Sequence, residues 1–198
     1  MTYTVNCSTL LTEFPLLERP ARVQRAGFPA VEYWWPFTTA VPDDADIARF
    51  ESAITDAGVQ LTGLNFFAGD MPGGDRGLVS WPARASDYPL LTADDALRVI
   101  ARVTESSTAK NVKLLADLYH LAVNGDDVAA VIDQHAAEFG HIQIADDPGR
   151  GAPGTGELPL EEWIARSREL GYEGYIGLEY KQSASAAFDW IAREARTR

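Results

Sequence analysis

The chain is poor in sulfur. Its 198 residues include one cysteine, Cys7, and two methionines. A single thiol cannot close an intramolecular disulfide, which suits a reducing compartment, and the want of thiolates argues against a structural zinc site. Cys7 sits in the strand-like run Thr4-Val5-Asn6-Cys7-Ser8 and reads as a small buried hydrophobe. Positive charge is also scarce. Seventeen Lys and Arg face 29 Asp and Glu, for a net charge of −12. The basic residues are scattered along the expected helices, so they form no stripe for a phosphate backbone, and nucleic acid is not an expected partner. A metal-dependent endonuclease is disfavoured on the same ground. No run approaches the roughly 20 apolar residues that cross a bilayer. The N-terminus has no basic stretch leading into a long apolar core, so no signal peptide is expected. These absences together predict a soluble, cytoplasmic protein without a membrane partner.

What is present is ordinary for a globular chain: 46% hydrophobic and 10% aromatic residues. That is enough for one sizeable core, and residues 1–198 are read as one domain. Short β-like runs alternate with helical patterns. Strands are expected at Tyr3 to Cys7, Ala30 to Trp34, Val59 to Phe66, Val112 to Asp117, His141 to Ala145 and Tyr175 to Glu179. Helices are expected at Glu13 to Ala26, Asp43 to Ala57, from Thr92 on, at Asp126 to Phe139, Pro159 to Leu170 and Ser185 to Arg196. Gly27, Gly58, Gly140 and Gly171 read as helix stops, and Thr92 as an N-cap. Between Phe67 and Leu91 the rhythm fails: the stretch is rich in turn residues and carries no clear strand.

Such alternation predicts a parallel sheet covered by helices. A doubly wound sheet and a (β/α) barrel both fit. About six βα units can be counted, where a full barrel has eight. Either way, chemistry belongs at the C-terminal strand ends. Those ends carry Glu32, Asn65, Asp117 with His120 three residues on, Gln143 between Ile142 and Ile144, and Glu179. Carboxylate, amide and imidazole groups on one rim suit a hard divalent cation, Mg²⁺ or Mn²⁺. Each residue also has a plain structural reading. Asp117 could cap a helix, Glu179 could pair with a Lys or Arg, His120 could be a satisfied structural histidine, and Glu32 could hold loop backbone beside Trp34 and Trp35. Gln143 is harder to dismiss, because a buried amide needs partners. The loop from Asp146 to Glu157 is glycine-rich and holds Arg150, a group able to grip a carboxylate. Gly149, Gly151 and Gly154 have dinucleotide-motif spacing, but the acidic residues before them and Pro153 among them do not suit it.

Longer motifs carry a resemblance. Val31-Glu32-Tyr33-Trp34-Trp35-Pro36-Phe37, Asn65 to Asp70 with Arg76-Gly77, Asp117-Leu118-Tyr119-His120, His141 to Asp146 running into Pro148-Gly149-Arg150, Pro153 to Glu157, and Gly177-Leu178-Glu179-Tyr180 follow in order along nearly the whole chain. In these the chain resembles the hydroxypyruvate isomerase family of xylose-isomerase-like TIM barrels. The resemblance implies a metal-dependent interconversion of hydroxypyruvate and 2-hydroxy-3-oxopropanoate through an enediolate, with no organic cofactor. The substrate would be a small hydroxy or oxo acid. The family's ligand order is Glu, Asp, Gln, Glu, and Asp117, Gln143 and Glu179 match the last three. Glu179 would also be one of two acid/base glutamates, and His120 and Arg150 match substrate-binding positions. The first glutamate has no counterpart. Glu105 is the nearest carboxylate in sequence, but it lies late in a helix. Gln182 stands where the family commonly has proline. About two strands and a helix are expected to be missing around residues 86–91, leaving a TIM-barrel-type fold with about six units and open sheet edges that favour self-association. Three functions follow: an isomerase with an altered site, an impaired remnant that binds metal or a small acid, or a related 2-oxo-tetronate isomerase or sugar epimerase.

Overall fold

The computed structural model of the chain describes residues 2–69, 90–108 and 110–196. Six short strands form its sheet: β1 (Tyr3–Asn6), β2 (Ala30–Tyr33), β3 (Gln60–Leu64), β4 (Leu114–Asp117), β5 (Phe139–Ile144) and β6 (Ile176–Leu178). Every pairing is parallel, and the order is β3-β2-β1-β6-β5-β4. This order decides between the two architectures. In a doubly wound sheet the chain works outward from the first strand, and the last strand ends at an edge. Here the first and last strands are neighbours, which is how a barrel closes. The edges are β3 and β4, which follow one another among the described strands. The described residues thus form a (β/α) barrel open between their third and fourth strands. The expected junction at 86–91 lies, up to residue 89, outside the described residues.

The helices are α1 (Arg19–Ala26), α2 (Asp44–Ala57), α3 (Ala93–Ser106), α4 (Leu118–Val123), α5 (Val128–His135) and α6 (Leu160–Glu169). Their limits follow local chemistry. Thr92 closes a capping box with Asp95 ahead of α3, each side chain taking the other residue's backbone N–H. Gly27 and Gly58 end α1 and α2 in the left-handed region, at φ +93° and +67°, where glycine carries no Cβ penalty.

Period-two alternation sorts the strands into two faces. Val5, Val31, Tyr33, Ile142, Ile144, Ile176 and Leu178 pack in one cluster with Val23, Phe50, Ile54, Ile132 and Ile164 of the helices. The opposite, inner face carries Thr4, Asn6, Glu32, His141, Gln143 and Gly177. The open sector leaves that face uncovered at its margins. Leu115, on the same side of β4 as Asp117, is 46% exposed.

Three sequence expectations need correction. Residues Asp126 to Phe139 do not form one helix. α5 ends at His135, a 3-10 turn spans Ala136–Glu138, and Phe139 opens β5, so Gly140 lies within a strand and stops nothing. Phe139 is buried there against Tyr172, and that burial outweighs its fit to the helical period. The closing helix at Ser185 to Arg196 is replaced by successive turns and a 3-10 turn at Arg193–Ala195. Side chains take up the carbonyls a helix would have used: Tyr180 Oη donates to Ala187 O, and Arg196 donates to Phe188 O and Ile191 O. The turns let Ala187, Phe188 and Ile191 all reach the core, with Phe188 4.7 Å from Phe28 between ring centroids. The first helix is also shorter than Glu13 to Ala26. Pro20 lies in the first turn of α1, and only a 3-10 turn, Leu16–Glu18, precedes it.

Cys7 is fully buried, and burial pushes its thiol up to about 12. Ellman's reagent at pH 8 is therefore expected to leave the folded chain unlabelled and to react once urea unfolds it. Prompt stoichiometric labelling without urea would contradict this burial.

Candidate active site

Asp117 ends β4 and also begins α4. Its Oδ1 accepts the His120 backbone N–H at 3.0 Å. The capping reading therefore holds, and the cap turns the chain and fixes the carboxylate at the rim. Glu179 follows β6 directly, and its own N–H donates to Ile144 O at 3.2 Å. The two carboxyl groups meet through a side-chain hydrogen bond. Burial, and then the Asp117 charge, push Glu179 up to about 7, while Arg150 and Trp34 pull the other way. Burial also raises Asp117, against the His120 backbone N–H, the Glu179 hydrogen bond and Arg150. Both members are raised, so the pair as a whole favours a protonated form.

Three groups hold Glu179. Trp34 Nε1 donates to Oε1 at 2.6 Å, Arg150 Nη2 lies 3.1 Å from the same oxygen, and Arg150 Nε donates to the Glu179 carbonyl at 3.2 Å. Arg150 is fixed in turn. Its backbone is left-handed at φ +57°, its carbonyl accepts Lys181 N–H at 2.7 Å, and its guanidinium lies 5.7 Å from the Tyr119 ring centroid. The loop that carries it is organised by Asp146, which is 1% exposed and accepts four backbone N–H groups, those of Asp147, Gly154, Gly156 and Leu158. The His120 ring is half-exposed beside them. Its Nε2 is 3.7 Å from Asp117 Oδ2, too far for a hydrogen bond, and burial and then Arg150 hold its pKa below the ordinary imidazole value.

Asp117, His120, Arg150 and Glu179 therefore form one cluster. Gln143 lies deeper on the inner face, in register with Asp117 on one side and Gly177 on the other. Its Nε2 donates to Glu32 Oε1 at 2.7 Å. Glu32 does not hold loop backbone; it is buried at the centre of the inner face. Asn65 stays exposed beyond β3, its N–H donating to Tyr33 O. Sequence reasoning did not single out the contacts made by Trp34, Tyr119, Asp146 and His141. The signal available for His141 was its period-two relation to Gln143.

Oxygen donors dominate the cluster. Among the described residues no three His, Cys, Asp or Glu side chains come together as a metal-holding group. At this rim, among the described residues, the Asp117–Glu179 pair would supply the anionic part of a cation site, with the Gln143 amide oxygen as a neutral donor. Two carboxyl groups whose pKa values are both raised are a donor set whose charge a hard divalent cation can offset. The described residues fit Mg²⁺ or Mn²⁺ in that sense.

A barrel-ordered parallel sheet with paired carboxylates at its C-terminal strand ends defines a (β/α)-barrel enzyme site. Comparison with known proteins narrows the class. Residues 77–196 match the xylose isomerase-like TIM barrel family. The chain is 40% identical to an inferred hydroxypyruvate isomerase of Streptomyces coelicolor, over 98% of this chain and 96% of the relative. It is 24% identical to a 2-oxo-tetronate isomerase of Cupriavidus necator, over 96% of each chain. A solved structure described as an AP endonuclease of family 2 from Brucella melitensis superposes with a TM-score of 0.73 at 22% identity, over 96% of this chain and 97% of that one, a likeness of fold. The chain belongs to the hydroxypyruvate isomerase family of xylose isomerase-like TIM barrels. The Streptomyces alignment runs over 269 positions against 198 residues here, so at least 71 of its positions face no residue of this chain. The relative is longer within the aligned range, in keeping with six strands among the described residues where a complete barrel has eight.

Proposed function

We infer that the chain is a divalent-metal-dependent isomerase of a short 2-oxo acid, interconverting hydroxypyruvate and 2-hydroxy-3-oxopropanoate with a reduced rate. The observation that carries this reading is the Asp117–Glu179 pair at the strand ends, with Glu179 buried and held 3.1 Å from Arg150. The reaction moves a hydrogen from C3 to C2 of the same molecule and needs a group that can take up and return a proton near neutral pH. Glu179, pushed up to about 7, is suited to that exchange. Trp34 and Arg150 fix its Oε1, which keeps the carboxyl group oriented as the proton comes and goes. Arg150 also places a guanidinium where a substrate carboxylate can be gripped, and His120 offers an uncharged imidazole at the open side. A bound cation, held by Asp117, Gln143 and Glu179, would offset the negative charge that develops on the substrate's oxygens.

The rate is reduced because a two-glutamate exchange retains only Glu179. A lost acid/base partner typically costs about 10²–10⁴ in rate. With Mn²⁺ present, proton NMR is expected to show slow conversion of hydroxypyruvate, abolished by Glu179→Gln. Turnover that survives this substitution would sink the assignment of Glu179. No turnover together with calorimetric Mn²⁺ binding would favour a binding remnant. A second substrate reading rests on the 24% relative: 2-oxo-tetronates carry one carbon more, and faster conversion of these than of hydroxypyruvate would select it.

A further inference from the structure

Beneath the rim, the inner face holds a buried polar hub that proton exchange does not use. Glu32 is 2% exposed. Its Oε1 accepts from Asn6 Nδ2 at 3.0 Å and from Gln143 Nε2 at 2.7 Å, and its Oε2 lies 2.6 Å from His141 Nε2. Two glycines make room for it. A Cβ at Gly177 would come within 2.8 Å of Glu32 Oε2 and 2.9 Å of Gln143 Cγ, closer than side chains pack, and one at Gly63 would come within 3.2 Å of Glu32 Cβ. The carboxylate and the amide thus lie together over the bare backbone of Gly177.

Stability alone explains this hub poorly. A buried ionic cluster is often no better for folding than apolar residues of equal volume. What it does supply is direction. An amide has one donor end and one acceptor end, and a carboxylate only accepts. With its nitrogen committed to Glu32, the Gln143 amide must turn its oxygen the other way, away from Glu32. Asn6, donating to the same oxygen, and His141, on the other, hold the carboxylate itself in place.

We propose that Glu32 is a positioning residue: it orients the Gln143 amide so that Oε1, not the NH₂ group, serves the cation. This rests on the reading of Gln143 as a ligand, and the test separates the two. Mn²⁺ binding is titrated by the EPR signal of the free ion, with circular dichroism and melting as checks of folding. Four chains are compared: the unaltered one, Gln143→Ala, Glu32→Gln, and the exchanged pair Glu32→Gln with Gln143→Glu. Glu32→Gln is expected to weaken Mn²⁺ binding about 10-fold or more, the usual size of such an outer contact. The exchanged pair keeps the charge and the hydrogen bond and presents an oxygen at 143 whichever way it turns. It is expected to recover most of the lost affinity, which a residue that merely supports the fold would not do. Should Gln143→Ala lose Mn²⁺ while Glu32→Gln binds normally, positioning is overturned and the ligand reading stands. An exchanged pair that folds poorly, or binds no better than Glu32→Gln, overturns positioning as well. If Gln143→Ala binds as the unaltered chain does, or the unaltered chain does not bind at all, the ligand reading falls and the proposal with it.

Discussion

Asp146→Asn is expected to destabilise the chain by about 3–5 kcal/mol, the largest effect of any single substitution considered, and to loosen the loop that carries Arg150. The side chain is 1% exposed. Oδ1 accepts the N–H groups of Asp147 and Leu158 at 2.9 and 3.0 Å, and Oδ2 those of Gly154 and Gly156, both at 2.9 Å. An asparagine amide has one oxygen and one NH₂ group. Whichever way it turns, two backbone donors lose their acceptor and face another donor. Each donor so stranded costs about 1–3 kcal/mol. The loop has little room to adapt, since a Cβ at Gly156 would already meet Asp147 O at 2.2 Å. For a chain of this size the melting temperature should fall by about 10 °C. Amide exchange at Gly154, Gly156 and Leu158 should accelerate. Unchanged melting together with unchanged exchange at these three amides would refute this account of the loop.

Asp146 also marks how far the sequence could be read. Its importance comes from four N–H groups between one and twelve residues further on, which converge only once the loop has folded. Spacing alone does not announce that. The strands were legible because a two-residue period survives in short runs such as His141 to Ile144, where His141 and Gln143 face inward and Ile142 and Ile144 outward. Asp117 was legible both as a cap and as a candidate site residue, and the cap is what the structure shows. Glu32 was visible as a polar residue at a strand end, but its partners lie far off in the sequence. Asn6, His141 and Gln143 come from β1 and β5, and no local pattern pairs them with β2. The closing segment failed for the opposite reason. Its helical period is real, yet Tyr180 and Arg196 capture its carbonyls and turn it. The break in rhythm after Phe67 was the most informative irregularity. β3 and β4, the strands on either side of it, are the two edges of the sheet.

The same cluster sets a dependence on pH and metal. In EDTA, the chain should lose stability as pH rises from about 4.5 to 7, and Mn²⁺ should oppose the loss. The folded state holds the Glu179 proton more tightly than an ordinary glutamate does, up to about 7 against 4.5. Below the ordinary value both states are protonated, and the group contributes nothing. Between the two values only the folded state keeps the proton, so raising the pH favours unfolding; above about 7 the penalty is constant. A tenfold difference in proton affinity is worth about 1.4 kcal/mol, so the loss is on the order of a few kcal/mol. Asp117, raised by burial, acts in the same direction. His120 opposes it, because an imidazole held below its ordinary value favours the folded state as pH rises. The difference in melting temperature between the unaltered chain and Glu179→Gln, followed from pH 5 to 8, isolates the Glu179 contribution. Parallel curves would show that the folded chain does not hold that proton tightly. Mn²⁺ competes with the same proton, so its stabilising effect should grow with pH and shrink in Glu179→Gln. Equal stabilisation of both chains would remove Glu179 from the ligand set. It would leave Arg150 and the proton as the charges that relieve Glu179, and a Glu179 that holds a proton but no cation could not take the ligand role in the metal-assisted isomerisation inferred here.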